Sequence, residues 1–264
     1  NTENKAVLSI TGLGFMFSKN IKAKIIRTLM KPFIKILFNN SFDIIIFQNP
    51  SDQEKFVSYS KFSNKTEIVH SSGIKTDNFE IKKINIQNNS TTKIILVSRL
   101  LYDKGILDYL NLAESFKSGN LEFYLAGERD DGNPQNIKQE DMDKLLQSKN
   151  LNYLGKIDVE KELSNFDILV LMSTHEGFSR ILLEALYVGL YCIAYKIPGT
   201  EGMASFNNLE LIKSGEIEEF KKFINNYSRN VDNTYNTKLI EEKYTSKAIA
   251  IEFEKLYKKM DLLD

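Results

Sequence analysis

The stretch Glu176-Gly-Phe-Ser-Arg-Ile-Leu-Leu-Glu184 decides the fold, because it joins a glycine-containing turn to the start of an apolar helix. Just upstream, Asp167-Ile-Leu-Val-Leu-Met172 has the uninterrupted apolar character of a buried strand. The unit is therefore strand, short loop and helix, which aims a helix N-terminus at the crevice above a parallel sheet. Exposed N–H groups at Gly177, Phe178 and Ser179 could hold a phosphate or a sugar hydroxyl in that crevice.

The two glutamates of this stretch stand eight residues apart, Glu176 in the turn and Glu184 about one turn into the helix. A carboxylate at the second position could accept hydrogen bonds from the hydroxyl pair of a ribose. In a plainer interpretation, one acid complements the helix dipole and the other is an unrelated glutamate on the helix surface. The spacing alone does not decide between the two.

A second segment places two cations at the end of another predicted strand. Lys93-Ile-Ile-Leu-Val-Ser98 is typical of a buried parallel strand, and it is followed by Arg99, Lys104-Gly105 and an apolar-periodic stretch at 106–116. A diphosphate suits this pair, because arginine can fork across two oxygens while lysine acts as a mobile point charge. The alternative is that both are solvated charges at the ends of elements.

Together, the two segments resemble the retaining glycosyltransferases of family four, which have the GT-B fold. Two upstream pieces, Thr11-Gly-Leu-Gly14 and Ile68-Val-His-Ser-Ser-Gly-Ile74, are similar to one branch, the bacterial enzymes that extend lipid-linked glycans with UDP-N-acetylhexosamines. The residues that carry the family resemblance occur in the family's order and are Arg99, Lys104-Gly105, Gly127 after the apolar run 121–126, Tyr153-Leu-Gly155, and Glu176 with Glu184.

The resemblance implies a reaction. A hexosyl unit, of which N-acetylhexosaminyl is one candidate, would pass from a UDP-sugar to a hydroxyl of a glycan or of a polyprenyl-diphosphate-linked acceptor, with retention of anomeric configuration. The setting would be the synthesis of bacterial surface polysaccharide or glycoconjugates. Arg99 and Lys104 would stabilise charge on the departing diphosphate, and Glu176 would bind hydroxyls of the donor sugar. No metal ion or other cofactor is implied, because the two cations take the place of a metal.

The resemblance also implies which residues bind the donor. Glu184 would hold the ribose, and the helix that starts near Ser179 would add its dipole and its N–H groups. The base would stack and pair at the loop after Gly127, which contains Glu128, and at the backbone of 154–157. The full set of expected donor-binding residues is Glu184, Gly177, Phe178, Ser179, Gly127, Glu128, Gly155, Lys156 and Gly14.

Some positions near these motifs carry weaker signals. Pro198-Gly-Thr-Glu-Gly202 stands where many family members have paired glycines, which puts the sugar-contacting amides of that loop in doubt. His175 could reach the phosphates or be a surface residue, and His70 is expected at a strand end rather than as a catalytic base. Asp141-Met-Asp143 matches the acidic motif of metal-dependent transferases, but its place within a polar helix argues against a metal site.

The expected fold class is α/β, because strands alternate with helices of about ten residues, as in parallel βαβ units. Within the GT-B fold, this predicts a nearly complete C-terminal Rossmann-like domain with a parallel sheet, plus the second half of an N-terminal Rossmann-like domain. The first half of that N-terminal domain is expected to be missing, so that the chain alone would be inactive. The expected divisions are an acceptor-side remainder at 1–70, a connection at 71–92, a nucleotide-sugar-binding domain at 93–245 and a helix returning to the first domain at 246–264.

The apolar patterns predict the individual elements. Strands are predicted at 5–10, 43–47, 66–70, 93–98, 121–126, 151–154, 167–172, 191–195 and 209–212. Helices are predicted at 52–59, 104–117, 138–148, 158–165, 179–189, 216–227 and 247–260, in addition to a basic helical segment.

The chain has a net charge of zero, but its charges are unevenly distributed, with an excess of cations in this basic segment. No acid occurs between Glu3 and Asp43, where seven cations contribute +7, so the rest of the chain sums to −7. Over 19–37 the cations interleave with apolar residues at near-helical spacing, as in an amphipathic helix on an anionic membrane surface. A packed helix with a solvated basic face fits equally well. Pro32 predicts a kink or two shorter helices.

Composition excludes several kinds of function. A single cysteine rules out an intramolecular disulfide and suits a reducing cytoplasm, and Cys192 is expected to be a small core residue. Two histidines and one cysteine exclude a His/Cys metal cluster. No apolar run approaches the ~18 residues of a spanning helix. Nucleic acid is not an expected partner. The expected location is cytoplasmic, either free or peripheral on the inner face of the plasma membrane.

Two other functions fit the same residues. A nucleotide-sugar 2-epimerase shares the GT-B architecture, but it needs acid and base carboxylates in a first domain that is expected to be incomplete. The other alternative is a nucleotide-binding module without turnover. The sugar, the acceptor and the linkage do not follow from these motifs.

Overall fold

The computed structural model describes residues 5–14, 17, 21–62, 64–82, 91–116, 119–228 and 232–260, and it arranges them around two parallel sheets. The predicted parallel α/β architecture is therefore confirmed. Positions 19 and 20 of the basic segment, positions 83–90 of the predicted connection and positions 261–264 lie outside the described residues.

The smaller sheet has three parallel strands in the order β1-β2-β3. In chain order its elements are β1 (Val7–Ile10), α1 (Ile21–Ser41), β2 (Ile44–Phe47), α2 (Pro50–Ser60) and β3 (Lys65–Ile68). The central strand β2 is buried along its whole length, which explains its uninterrupted sequence of large apolar residues.

The larger sheet has six parallel strands. Its strands and the helices after them are β4 (Thr92–Val97), α3 (Ile106–Glu114), β5 (Leu121–Ala126), α4 (Gln139–Gln147), β6 (Leu151–Gly155), α5 (Val159–Glu162), β7 (Ile168–Leu171), α6 (Arg180–Val188), β8 (Tyr191–Tyr195), α7 (Pro198–Glu201), β9 (Leu209–Ile212), α8 (Ile217–Asn225), α9 (Thr234–Lys243) and α10 (Ser246–Lys259). Short 3-10 turns lie at Tyr102–Lys104 and Leu163–Asn165.

The strand order β6-β5-β4-β7-β8-β9 reverses direction between β4 and β7. Helices cover both faces of this sheet, and each face has its own core. Successive residues of one strand point to opposite sides and therefore belong to different cores. Ile94 packs in one core with side chains of α3, α4 and α8. Ile95, the next residue of β4, packs in a second core with side chains of α6 and α9. The result is an open doubly wound sheet.

The helix α10 packs on the smaller sheet rather than on the larger one. Ile249 of α10 is in contact with Ile46 of β2 and with Val69, while α1 and α2 cover the other face. The chain therefore passes between the sheets twice, and the two passages pair with each other. The Ile74 N–H donates to the Tyr244 carbonyl at 2.9 Å, and the Ser246 N–H donates to the Ile74 carbonyl at 2.9 Å.

Several details differ from the sequence prediction. The alternative of two shorter helices around Pro32 is wrong, because α1 continues through it. Pro32 is exposed, so water can solvate the carbonyl of Thr28 that loses its helical partner. The helix predicted from 104 begins only at Ile106, after the 3-10 turn. The helices α7 and α9 were not predicted, and the polar sequence of α9 gave little apolar signal.

The structure also bears on the single cysteine and on membrane-spanning helices. Cys192 is fully buried in the core of the larger sheet, as predicted. Among the helices in the described ranges, none has both the length and the apolar character that crossing a membrane requires.

Candidate functional site

The loops that follow β4 and β7 meet where the strand order of the larger sheet reverses, and such a point opens a crevice. Lys104 ends the 3-10 turn after β4, and Glu176 lies in the loop after β7. Their Nζ and Oε1 atoms are 2.7 Å apart, with 15% and 19% of the side chains exposed. The structure thus brings the two predicted catalytic segments, 72 residues apart in the chain, into direct contact.

Glycine at position 105 permits this approach. Gly105 has a φ of +71°, and a Cβ there would lie 2.2 Å from the carbonyl oxygen of Met172 at the end of β7. Only a residue without a side chain therefore lets the turn before α3 lie against that strand. The Thr174 N–H also donates to the Asp103 carbonyl at 2.8 Å, so the two loops are joined independently of the ion pair.

A cleft of about 270 Å³ lies between the two sheets at this edge. The smaller sheet contributes the loop after β1 and the start of α2, and the larger sheet contributes the loops after β4, β7 and β8. The lining residues are Thr11, Gly12, Leu13, Gly14, Asp52, Lys55, Arg99, Asp103, Lys104, Thr174, His175, Glu176, Gly177 and Pro198. Cations and carboxylates share this cleft, which suits a ligand that carries both phosphate and hydroxyl groups.

Arg99 lines the same cleft as Lys104, as the prediction of two cations on one rim requires. Its guanidinium is more exposed, and Nη1 donates to Asp130 Oδ2 at 2.7 Å. An exposed ion pair of this kind is held by only about 0–1 kcal/mol. Arg99 can therefore exchange its carboxylate partner for a phosphate at little cost.

Glu184 lies one turn into α6 and is 5% exposed. The interpretation of this residue as a surface acid is therefore wrong. Burial raises the pKa of its carboxyl, and the hydrogen bond from the Arg180 guanidinium lowers it by a smaller amount. Glu184 is not among the cleft-lining residues, and its role with a ribose stays a prediction.

Phe178 and Ser179 complete the loop before α6. The ring of Phe178 is buried and stacks on Tyr244, with centroids 5.5 Å apart, so only its backbone is available to a ligand. Ser179 is the N-cap residue of α6, but its hydroxyl does not cap the helix. Its Oγ is buried and has no hydrogen-bond partner in the described part of the chain.

The residues expected to bind the base lie on the other side of β4, at the carboxyl ends of β5 and β6. The Gly127 N–H donates to the Gly155 carbonyl at 2.7 Å, which joins the two loops. The side chains of Glu128 and Lys156 are mostly exposed and lie 3.9 Å apart. The predicted site residues therefore fall along one continuous edge of the sheet, but only some of them share the cleft.

Sequence reasoning missed three charged residues of the cleft. Asp103 directly precedes Lys104-Gly105, and this adjacency was the available signal. Its Oδ1 atom is buried without a hydrogen-bond partner among the residues that the structure describes. Asp52 and Lys55 gave no signal, because the start of α2 reaches the cleft only through the packing of the smaller sheet against the larger one.

The weaker candidates have definite places. His175 lines the cleft, and its Nδ1 lies 3.2 Å from Thr174 Oγ1. His70 follows β3, and its Nδ1 lies 3.0 Å from the Gln48 carbonyl oxygen. Asp141 accepts hydrogen bonds from Lys144 and Tyr102. Within the described ranges, no group of three or more His, Cys, Asp and Glu residues has the geometry to hold a metal ion.

A comparison with known sequences identifies relatives. Residues 77–256 match the family model of the glycosyl transferases group 1. The chain is 30% identical over 192 residues to the N,N'-diacetylbacillosaminyl-diphospho-undecaprenol alpha-1,3-N-acetylgalactosaminyltransferase of Campylobacter jejuni, a match that covers 68% of this chain and 49% of the relative. The chain thus spans about half the length of this curated relative.

Solved structures share the architecture. The complex of Anabaena HepE with UDP and glucose has a TM-score of 0.77 at 16% identity, over 97% of this chain and 72% of that one. TarM has a TM-score of 0.73 at 18% identity, over 97% and 51% of the chains. The sucrose-phosphate synthase of Thermosynechococcus elongatus has a TM-score of 0.75 at 17% identity, over 96% and 67%. These likenesses confirm the expected GT-B fold.

The family match covers more than half of the chain and includes every cleft residue that the larger sheet contributes. The resemblance to family-four glycosyltransferases is thereby confirmed, and the chain belongs to the glycosyl transferases group 1 family.

Proposed function

We propose that this chain binds a UDP-sugar and belongs to an enzyme that transfers the hexosyl unit, N-acetylhexosaminyl being one candidate, to a hydroxyl of a glycan or lipid-linked acceptor. Transfer proceeds with retention of configuration, in the synthesis of bacterial surface polysaccharide or glycoconjugates. The observation that carries this proposal is the ion pair between Lys104 and Glu176 at the point where the strand order reverses.

The short distance between Lys104 and Glu176 fits the structure of a UDP-sugar, in which the phosphate and the sugar are directly linked. A sugar and the diphosphate that leaves it are joined through one oxygen, so groups that bind them must be neighbours. When the donor enters, Lys104 exchanges Glu176 for a phosphate oxygen, and Glu176 accepts hydrogen bonds from sugar hydroxyls. Both side chains are mostly buried, so this exchange occurs where electrostatic interactions are weakly screened.

The chemistry needs stabilisation of the negative charge that develops on the departing diphosphate. Lys104 and Arg99 supply two cations, and the N-terminus of α6 adds the positive end of its dipole with the N–H groups of 177–179. Because these groups are already in place before the reaction, little reorganisation is required. We therefore propose that transfer requires no metal ion or other cofactor.

The nucleoside lies along the same edge of the sheet in this proposal. Glu184 accepts hydrogen bonds from the ribose, and the base lies between the loops that contain Gly127 with Glu128 and Gly155 with Lys156. The bond between the Gly127 N–H and the Gly155 carbonyl supports this, since it sets the spacing of the two loops without any ligand.

The acceptor side involves the smaller sheet and its helix α1. The relative from Campylobacter jejuni is named for a diphospho-undecaprenol acceptor, and we propose a lipid-linked acceptor here as well. The helix contains no acid, and large apolar residues on it are 43–76% exposed, namely Ile21, Ile25, Ile26, Leu29, Met30, Phe33, Ile36 and Leu37. Apolar side chains together with lysines suit an anionic lipid surface. We propose peripheral attachment to the cytoplasmic face of the plasma membrane.

Calorimetry with UDP and with UDP-sugars tests the donor site. The parent should bind UDP, and Lys104→Ala should weaken binding by roughly 1.5–3 kcal/mol, since it removes one charge-assisted contact. The matched control is Lys161→Ala, which removes an exposed lysine of α5 that is paired with Asp158. Equal UDP affinity in Lys104→Ala and in the parent would refute the assignment of the diphosphate. An epimerase would convert UDP-GlcNAc without any acceptor, whereas a transferase requires one.

A further inference from the structure

We propose that Asn49 is a positioning residue, which holds the loop of Glu176 and Gly177 in its binding geometry from the opposite side of the cleft. The inference rests on the proposed function, because this loop is where the donor sugar is proposed to bind. Asn49 lies between β2 and α2 on the smaller sheet and is 2% exposed. Its side chain therefore acts through the loop and does not line the cleft itself.

The amide of Asn49 uses both of its polar atoms. Its Nδ2 donates to the Gly177 carbonyl at 2.9 Å and to Asp52 Oδ2 at 3.2 Å. Its Oδ1 accepts from the Asp52 N–H at 2.8 Å, which caps the start of α2. A carbonyl can only accept and a backbone N–H can only donate, so the amide has a single possible orientation. One buried side chain thus joins a helix of the smaller sheet to the donor loop of the larger one.

The fixed position of the Gly177 carbonyl determines the direction of the neighbouring Phe178 N–H group. The carbonyl of Gly177 and the N–H of Phe178 belong to the same planar trans peptide and point in opposite directions. Because the carbonyl points to Asn49, the Phe178 N–H must point away from the smaller sheet. This N–H is one of the groups proposed to bind the donor. Asn49 therefore orients that group and, through the preceding peptide, the side chain of Glu176.

The loop fits tightly against the smaller sheet at Gly177. A Cβ there would lie 1.6 Å from the Thr11 carbonyl oxygen and 2.8 Å from Gln48 Oε1. Real Cβ atoms do not approach so closely, so the contact exists only because residue 177 has no side chain. By contrast, a Cβ at Gly132, in the larger sheet's loop after β5, would meet no atom within 4 Å. These two glycines give a matched pair for testing the contact.

Hydrogen exchange separates positioning from helix capping. Asn49→Ser keeps an oxygen that can cap α2, but serine is too short to reach Gly177. In the full chain, this variant should speed exchange in the peptide 174–180 by about 3- to 10-fold, as expected for one lost hydrogen bond, with 50–60 unchanged. Asn49→Ala should speed exchange in both peptides. Unchanged exchange at 174–180 in Asn49→Ser would overturn the proposal, because a purely structural cap predicts that result.

The distance between the sheets gives a second measurement. Spin labels at Thr28→Cys on α1 and Glu219→Cys on α8 report the separation, and the fully buried Cys192 is not labelled. Gly177→Ala should lengthen this distance and weaken UDP binding, whereas Gly132→Ala should leave the distance unchanged. An unchanged distance in Gly177→Ala would overturn the tight contact. If the parent fails to bind UDP, the donor site is refuted, while the exchange and distance measurements still decide whether Asn49 holds the loop.

Discussion

The Nε atom of Arg180 donates to Oε1 of Glu184 at 2.7 Å across one turn of α6, and the two ends of this pair differ sharply in environment. The arginine side chain is 62% exposed, whereas that of the glutamate is 6% exposed. Burial raises the pKa of Glu184, and Arg180 offsets only part of that effect. A carboxyl group kept inside a protein at such a cost is typical of a binding site, because a structural position would be served better by an apolar residue.

The first prediction is that Glu184→Gln trades binding for stability. Because the pKa of Glu184 is higher in the folded state than in the unfolded state, its contribution to stability is present at low pH and is lost as the pH rises above the ordinary glutamate range. Glutamine does not titrate, so the free energy of unfolding of the variant, relative to the parent, should increase between about pH 4 and pH 7. Urea unfolding across that range measures this difference, and calorimetry should show weaker UDP binding.

The exposed acid Glu218 on α8 supplies the control for this experiment. In Glu218→Gln the difference from the parent should stay nearly flat with pH. A flat difference for Glu184→Gln as well would contradict the assigned effect of burial. Unchanged UDP affinity would remove Glu184 from the nucleotide site.

A second prediction concerns competition for Arg99. Its guanidinium is paired with Asp130, and this exposed contact is worth about 0–1 kcal/mol. Asp130→Asn should therefore free Arg99 and tighten UDP binding a few-fold, whereas Arg99→Ala should weaken it by roughly 1.5–3 kcal/mol. The control is Asp158→Asn, which breaks the exposed pair with Lys161 and should leave the UDP affinity unchanged. Calorimetry that finds Asp130→Asn no tighter than the parent would show that Arg99 does not exchange partners.

The sequence predicted the larger sheet well because its strands are short and mostly apolar, and the interior strands β7 and β8 are buried almost throughout. The residues of β7, Ile168 to Leu171, are all buried, and their uninterrupted apolar sequence is sufficient to identify a strand. The contact of Lys104 with Glu176 could be anticipated for a related reason, since carboxyl ends of neighbouring parallel strands lie at one edge of the sheet. Local pattern and topology were sufficient there.

The parts that sequence could not predict depend on packing between the two sheets. Asn49 was not singled out in the sequence, and only the folded chain places Gly177 beside it. For Phe178 the sequence predicted only a role of its backbone N–H, and nothing indicated that its ring stacks on Tyr244 from the second passage between the sheets. The spacing of Glu184 left its environment open, and its burial to 5% exposure is seen only in the folded chain. None of these contacts leaves a periodic trace in the chain.

A third prediction tests the lipid-facing role of α1. Burial of a large apolar side chain is worth about 1.5–3 kcal/mol, so Leu29→Glu with Phe33→Glu should reduce binding to vesicles that contain anionic lipid by more than tenfold. Leu146→Glu on α4 is the matched control, since Leu146 is also exposed but lies far from α1 in the chain. Cosedimentation measures the bound fraction. Binding by the parent should weaken with added salt, because the lysine contribution is screened. If the double variant and the parent bind equally, this surface does not contact lipid.

The fourth prediction uses two buried hydroxyl groups that have no partners within the described part of the chain. Ser173 follows β7 and Ser179 begins α6, and both are almost fully buried. A buried unpaired hydroxyl costs about 1–3 kcal/mol of desolvation, so Ser173→Ala and Ser179→Ala should each leave the free energy of unfolding unchanged or raise it. Helix capping does not alter this expectation, because the Ser179 side chain makes no capping hydrogen bond.

The two variants should differ in ligand binding. Ser179 lies at the N-terminus of α6, where a bound phosphate would provide the missing hydrogen-bond partner, whereas Ser173 lies deeper, at the end of the strand. Ser179→Ala should therefore weaken UDP binding by about 3- to 10-fold, and Ser173→Ala should not. Chemical denaturation and calorimetry on the same samples measure both quantities. A loss of stability in Ser179→Ala would show that its hydroxyl has a partner in solution, and equal UDP affinities would place the phosphates away from α6.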